Sequence, residues 1–314
     1  MADREPVSVL LPTVKWNTAC EQMAAQLAPE DELLVICDTE QDPVARHEAP
    51  EGVHILIAGE PEGCAGKANA LAYGMTQARH DRFVWTDDDF ERDMEWLNRL
   101  VAAGEAHGPA TAVPFFTGGG WWRLFEPWLG ALFMIMLSLQ LGGVANTAWG
   151  GGVVFTRSEL TVSVSELTDE LREVMSDDYL LGQRLPHVYP VQSMVTHVKV
   201  SGGFHSVRHR LLRFIRIVGI NNGWVLAIVI SSSLVVAGLA FPLAVAVSLT
   251  GSFAAVYAWF GLGRVNFLYA YLGMLVLPPV IFAAVLVDEF EWAGRRYRFP
   301  NSGEVEILDA TDEA

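Results

Sequence analysis

Between Trp224 and Gly263 the chain carries no charged residue, and after the single Arg264 the stretch from Val265 to Val287 is again uncharged. One bilayer crossing takes about 20 apolar residues, so the first stretch has room for two helices and the second for a third. Pro242 and Gly251-Ser252 mark possible interruptions. With 51% hydrophobic residues and a mean hydropathy of +0.28, the 314-residue chain is too apolar for an ordinary soluble protein, and part of it is expected in lipid. Residues Met1 to Pro6 run straight into a strand-like segment, so no cleaved leader is expected and the amino-terminal two thirds are expected in the cytoplasm.

The formal net charge is −16, and of 21 basic residues only Lys15, Lys67 and Lys199 are lysines. Dense carboxylates with few lysines suit a protein kept soluble in concentrated salt, where self-repulsion is screened; an acidic protein of no special habitat has the same composition. A nucleic-acid partner is excluded for want of a basic face. Cys20, Cys37 and Cys64 are odd in number and lack CxxC spacing, which reads as reduced core thiols rather than disulfides or a metal site.

Ahead of the uncharged region the pattern is that of an α/β domain. Val7 to Leu11, Glu32 to Cys37, Val53 to Ile57 and Arg82 to Trp85 are short apolar runs that read as buried strands. Gly66 to Arg79 has the three-and-four apolar spacing of an amphipathic helix. Alternating strands and helices favour a mostly parallel sheet covered on both faces. In such sheets ligands bind beyond the carboxyl ends of the strands, where Thr13, Asp38 and Asp87-Asp88-Asp89 fall. Further along, Asp93 to Ala106 predicts a helix, Ala110 to Phe116 a strand, Ser176 a cap for a helix starting at Asp177, and Met194 to Val200 another strand.

Pro127 to Thr156 has no charge and follows an aromatic cluster at Trp121, Trp122, Phe125 and Trp128; it reads as a helix at the membrane surface, with a plain core helix as the competing reading. His205 to Ile220 predicts a basic amphipathic helix bearing Arg208, Arg210, Arg213 and Arg216. Arg295, Arg296 and Arg298 follow the last apolar segment. Positive charge at both ends places both on the cytoplasmic side, so one of the three apolar segments should fail to span, with Pro278-Pro279 pointing to a break in the third.

A departing nucleoside diphosphate carries negative charge that Mg²⁺ or Mn²⁺ neutralises, held by a few carboxylates, phosphate oxygens and water. Asp87 and Asp89, two apart after a strand, are candidate metal ligands, while Asp88 would point the other way. Asp38 is either a turn residue or an acceptor for the base or ribose. Lys67 heads a helix where side chain and helix start both meet phosphate, although the glycine spacing is not that of a P-loop. Asp178 at a helix start fits a base that removes the proton of an attacking hydroxyl, with Asp177 capping or bonding locally. Arg210 and Arg213 share a helix face and could clamp a diphosphate or attract anionic headgroups.

In this order the motifs resemble processive-type family 2 glycosyltransferases and, more closely, the ceramide glucosyltransferase family. The matching pieces are Asp38 in VICDTE, the DxD-like TDDDF with Asp87 and Asp89, SDDYLLG with Asp178, and RLLRF at Arg210 to Phe214 where the family shows (Q/R)xxRW. WAGRRYRF from Trp292 to Phe299 and the following EILD are similar to the family's closing segment. The resemblance implies a GT-A (Rossmann-like) fold, a UDP-hexose donor, a divalent metal, inversion at the anomeric carbon and a lipid alcohol acceptor such as ceramide, diacylglycerol, an ether lipid or a polyprenyl phosphate. Phe214 replaces the family's tryptophan, Asp177 stands where glutamate often precedes the base, and no amino-terminal membrane anchor is expected.

The sequence therefore predicts a nucleotide-sugar domain over 1–204 with an interfacial segment at 121–145. A basic helix over 205–222, a membrane region over 223–288 and a cytosolic tail over 289–314 complete the expected organisation. The expected activity is a membrane-bound, metal-dependent hexosyltransferase; Thr13, Asp38, Lys67, Asp87, Arg210 and Arg213 take the donor, Asp87 and Asp89 the metal, and Asp178 the acceptor proton. The alternative is a membrane scaffold that keeps the fold without turnover.

Overall fold

The computed structural model describes residues 4–219, 223–287, 289–292, 295–298 and 306–310. The described strands are β1 (Val7–Pro12), β2 (Glu32–Cys37), β3 (Val53–Ile57), β4 (Arg82–Trp85), β5 (Ala110–Gly118), β6 (Val153–Thr156), β7 (Tyr189–Val200), β8 (Glu289–Trp292), β9 (Arg295–Arg298) and β10 (Glu306–Ala310). The described helices are α1 (Thr18–Ala24), α2 (Gly66–Gln77), α3 (Trp96–His107), α4 (Glu126–Leu141), α5 (Val164–Leu171), α6 (Asp177–Arg184), α7 (Phe204–Gly219), α8 (Gly223–Ala240), α9 (Pro242–Trp259) and α10 (Ala270–Val285). They fall into two compact units, Met1–Pro114 with Leu137–Val198, and Phe115–Met136 with Lys199–Ala314.

The first unit is built as the apolar runs require. Its strands lie in a sheet of order β3-β2-β1-β4-β6-β5-β7. The pairs β3–β2, β2–β1 and β1–β4 are parallel, while β6 runs antiparallel to both β4 and β5. β2 is buried along its whole length and β1 nearly so, as expected of strands covered on both faces. The first residue of β2 is an acid, and Glu32 is tolerated at 1% exposure because all its bonds are made. It accepts from Ser8 Oγ at 2.6 Å, the Arg79 amide at 2.7 Å and Arg79 Nε at 2.8 Å. All three cysteines are buried and none is in a disulfide; burial pushes the Cys37 thiol up to about 11.

The second unit holds α7 to α10 and a separate antiparallel sheet of order β10-β9-β8 where the sequence suggested only a tail. Residues 115–136, which the sequence placed inside the sheet domain, group with this unit. Trp122, Phe125, Val200, Val207 and Leu211 form a buried apolar cluster, onto which Phe214, Val276, Leu277 and Val280 pack. Among the described residues, two helices are by length and composition apolar enough to cross a membrane, Pro242–Trp259 and Asn266–Val285. The break expected at Pro278-Pro279 is not found: α10 continues through both prolines. Each proline removes one helical donor, and tertiary packing of Val276, Leu277 and Val280 on both sides of the pair holds the helix in line.

Candidate active site

Strand ends deliver the acidic residues, and their bonds differ by position. Thr13, one residue beyond β1, donates its hydroxyl to Asp88 Oδ2 at 2.5 Å. Asn17 Nδ2 reaches the same oxygen at 3.0 Å, while its own Oδ1 caps α1. Arg92 underpins the loop after β4: it donates to Thr86 Oγ1 at 2.6 Å, to the Asp87 carbonyl and to the Phe90 carbonyl at 3.1 Å, with its guanidinium 3.8 Å above the Phe90 ring. Asp88 is thus spent on the β1 loop and Arg92 on the backbone, which leaves Asp87 directed elsewhere.

Asp87 points to Lys67. The Lys67 ammonium lies 2.7 Å from Asp87 Oδ1, 2.8 Å from Asp177 Oδ2 and 3.5 Å from Asp178 Oδ1. Lys67 stands in the first turn of α2, and the two aspartates open α6 under the Ser176 cap, whose Oγ accepts from the Tyr179 amide at 3.3 Å. Three carboxylates lying 20 (87 − 67), 110 (177 − 67) and 111 (178 − 67) residues from Lys67 in sequence therefore meet around its ammonium. Burial would lower the Lys67 ammonium, but Asp177, Asp178 and Asp87 outweigh it and hold it well above the usual lysine value.

The carboxylates respond in the other direction. Burial lifts Asp87 to about 6, against the pull of Lys67 and with Asp89 and Asp177 adding to the rise. Burial likewise raises Asp178 well above the ordinary carboxylate range, with Lys67 opposing and Asp177 and Asp87 reinforcing it. Once ionised, a carboxylate held this way is an effective proton acceptor.

A glycine makes the room for this cluster. The Gly150 amide donates to Asp178 Oδ2 at 3.1 Å, and its carbonyl accepts from the Asp87 amide at 3.1 Å. A Cβ on Gly150 would stand 2.6 Å from Asp87 Oδ2, 2.8 Å from Lys67 Nζ and 3.0 Å from Asp178 Oδ2. Two carboxylate oxygens and an ammonium thus face one cleared space. Hard oxygen donors of this kind fit Mg²⁺ or Mn²⁺, which take few carboxylates and complete their shell with phosphate and water. Asp87 is placed to contribute; Asp89 beside it is exposed. Among the described residues no group of three or more His, Cys, Asp or Glu side chains could by itself hold a metal ion.

The other predicted site residues have neighbours of their own. Asp38 follows β2, its amide bonded to Asp42 Oδ2 at 2.9 Å and its carbonyl to the Gly59 amide at 3.0 Å, so its backbone is set by a local turn. Arg210 belongs to the second unit, where its guanidinium lies 5.4 Å from the Phe116 ring centroid. Phe214 meets the same ring edge-on at 5.0 Å. The side chain of Arg213 lies outside the described residues, as does Phe299 of the closing segment. Gly150 and Arg92 were not anticipated; the Gly150-Gly151-Gly152 triplet directly before β6 was the visible signal for the first, and nothing in a lone arginine announced the second.

No curated protein matches the chain. Among solved structures, glucosyl-3-phosphoglycerate synthase from Mycobacterium tuberculosis is similar at 17% identity and TM-score 0.38, over 62% of this chain and 70% of that one. S. aureus TarS residues 1–349 in complex with UDP-GlcNAc is similar at 14% identity and TM-score 0.41, over 98% and 100%. Mannosyl-3-phosphoglycerate synthase from Rubrobacter xylanophilus is similar at 17% identity and TM-score 0.38, over 62% and 66%. The family model that matches this chain is that of glycosyl transferase family 2, over residues 17–160.

Proposed function

We propose that the protein is a metal-dependent hexosyltransferase that moves a sugar from a UDP-sugar to a lipid alcohol at a membrane surface, with inversion. The observation that carries this reading is the meeting of Asp87, Asp177 and Asp178 on Lys67 beside the space that Gly150 leaves. The family 2 match over residues 17–160 supports the reaction class. Asp87 and Asp89 would hold Mg²⁺ or Mn²⁺, which would supply positive charge to offset that of the departing diphosphate. Asp178 accepts the proton of the acceptor hydroxyl as that oxygen attacks the anomeric carbon, and UDP departs from the opposite face. Lys67, drawn into the cluster by three carboxylates, supplies a second positive charge toward the phosphates. Asp177 holds Lys67 and through it orients both neighbours. Asp38 and Thr13 belong to the nucleotide side, and Arg210 with Arg213 to the diphosphate.

The lipid acceptor is supported by the apolar helices of the second unit, which leave Leu226, Leu239, Leu243 and Leu272 exposed. The test is UDP release from a UDP-hexose, with and without lipid extract and with Mn²⁺ or chelator, followed by mass spectrometry of the product lipids. Metal-dependent, lipid-stimulated release with one new glycolipid is expected. Release that no lipid stimulates would reject the acceptor, and no release under any condition would favour a scaffold without turnover.

A further inference from the structure

The apolar helices contain a contradiction that the second unit resolves internally: three crossings would put Arg264 and the basic tail on opposite sides, yet each helix is tied to one short segment. We propose that α8, α9 and α10 cross nothing and lie flat as a platform in one leaflet of a lipid bilayer. This rests on the membrane association proposed above and goes beyond it by fixing its geometry.

α10 gives the clearest constraint. Trp128 Nε1 donates to the Ala270 carbonyl at 3.0 Å, and a Cβ on Gly273 would come 2.0 Å from the Leu124 carbonyl oxygen. Three turns on, Val276, Leu277 and Val280 pack against Trp122, Phe125, Val207 and Leu211. From Ala270 to Val280, about 15 Å of helix stays beside residues 122–128 and α7. Residues 204–219 carry four arginines and no acid, so α7 cannot sink into hydrocarbon. Its neighbour α10 is held at the same interfacial depth.

The other two helices are tied to the same place. Tyr271 donates its hydroxyl to the Gly238 carbonyl at 3.1 Å, and Gly238 faces Met274 so closely that a Cβ would lie 2.4 Å from Met274 Cε. The far end of α8 is thus level with the first turn of α10. In α9, Phe253 meets Trp128 edge-on at 5.0 Å, and the Tyr257 hydroxyl donates to the fully buried Glu126 at 2.9 Å. Past its end, Arg264 Nε pairs with Glu126 at 3.2 Å and Asn266 Nδ2 donates to the Gly118 carbonyl at 3.2 Å. Gly118 is the last residue of strand β5, so the α9–α10 loop returns to the side where that strand lies.

The turn between α8 and α9 has the opposite character. Residues 239–246 include no polar side chain, and Leu239, Phe241 and Leu243 are 69%, 67% and 77% exposed. A turn emerging into water across a bilayer would carry polar residues; this one suits the acyl region. Lipid is the occupant that fits, because α7, which precedes α8 in the chain, carries four arginines, and anionic headgroups attract such a segment even in a chain whose net charge is −16.

The test uses the full-length chain in sealed inside-out vesicles from expressing cells, with a membrane-impermeant maleimide. Single cysteines are introduced as Leu243→Cys, as Gly263→Cys, where nothing lies within 4 Å of the added Cβ, and after Ala314. The expected result is labelling at 263 and after 314 from the same outer face, with 243 unreactive from either face until detergent is added. Labelling of 243 from the lumen, or of 263 and the tail from opposite faces, overturns the proposal. Flotation with the same lipids is run in parallel: a chain that does not float rejects membrane association itself, whereas a floating chain labelled at 243 from the lumen rejects only the flat arrangement.

Discussion

At the residue scale, Gly150 and Lys67 decide whether the acidic cluster can work. Gly150→Ala puts a methyl within 3.0 Å of Asp87, Lys67 and Asp178, and transfer should fall at least about 100-fold while the far-UV spectrum is unchanged. Asp178→Asn should abolish transfer and at the same time raise the melting temperature. The sign follows from its raised carboxyl: burial makes ionisation harder in the folded state than in the unfolded chain, so at neutral pH the charge costs stability that asparagine does not. Equal loss of activity and of stability would mean that Asp178 is structural. Asp87, lifted to about 6, must be ionised to hold a cation, so Mn²⁺ affinity should weaken as pH falls through that value. The sequence displayed the carboxylates plainly, since each follows an apolar run or a cap. It did not display that Lys67 joins them, because the partners lie up to 111 residues away (178 − 67) and a lone lysine at a helix start has many uses.

At the scale of single elements, α6 is positioned by backbone against backbone. A Cβ on Gly182 would lie 2.6 Å from the Asn146 carbonyl oxygen, and Asn146 Nδ2 donates to the Gly182 carbonyl at 2.7 Å. Gly182→Ala should therefore push α6 outward, lowering the melting temperature and kcat together, with donor KM less affected. In β2, burial alone would raise Glu32, but bonds from Ser8 and Arg79 prevail and leave its carboxyl below the usual range. That stabilisation is complete above the unfolded value near 4.5 and is lost as pH falls through the lower folded one. Glu32→Gln should cost about 1–3 kcal/mol at pH 7 and much less at pH 3, measured by urea unfolding. Strands β1 to β4 were legible because buried parallel strands are short unbroken apolar runs. The antiparallel β6 was not, since its four residues lie at the end of one long uncharged stretch shared with α4. The continuous α10 was misread because proline rules describe an isolated helix, and here Val276, Leu277 and Val280 pack on a buried cluster on either side of the prolines.

At the scale of the whole molecule, a net charge of −16 should make stability strongly salt-dependent. Screening shortens from roughly 10 Å at 0.1 M to 3 Å at 1 M, so the melting temperature should rise with sodium chloride over that range. That the uncharged stretches of residues 224–263 and 265–287 hold helices was legible from hydropathy. The return of residues 115–136 to the helical unit was not, because it depends on Glu126 finding Tyr257 and Arg264 more than 130 residues later. The account as a whole depends on the Asp87 and Asp178 carboxylates serving one donor site in separate capacities. Calorimetric titration of UDP with Mn²⁺ into wild type, Asp87→Ala and Asp178→Ala tests this most directly. UDP should bind wild type only with metal, lose affinity at least about 10-fold in Asp87→Ala, and bind Asp178→Ala nearly as wild type although that variant transfers no sugar. Metal-independent binding, or equal loss in both variants, would contradict it.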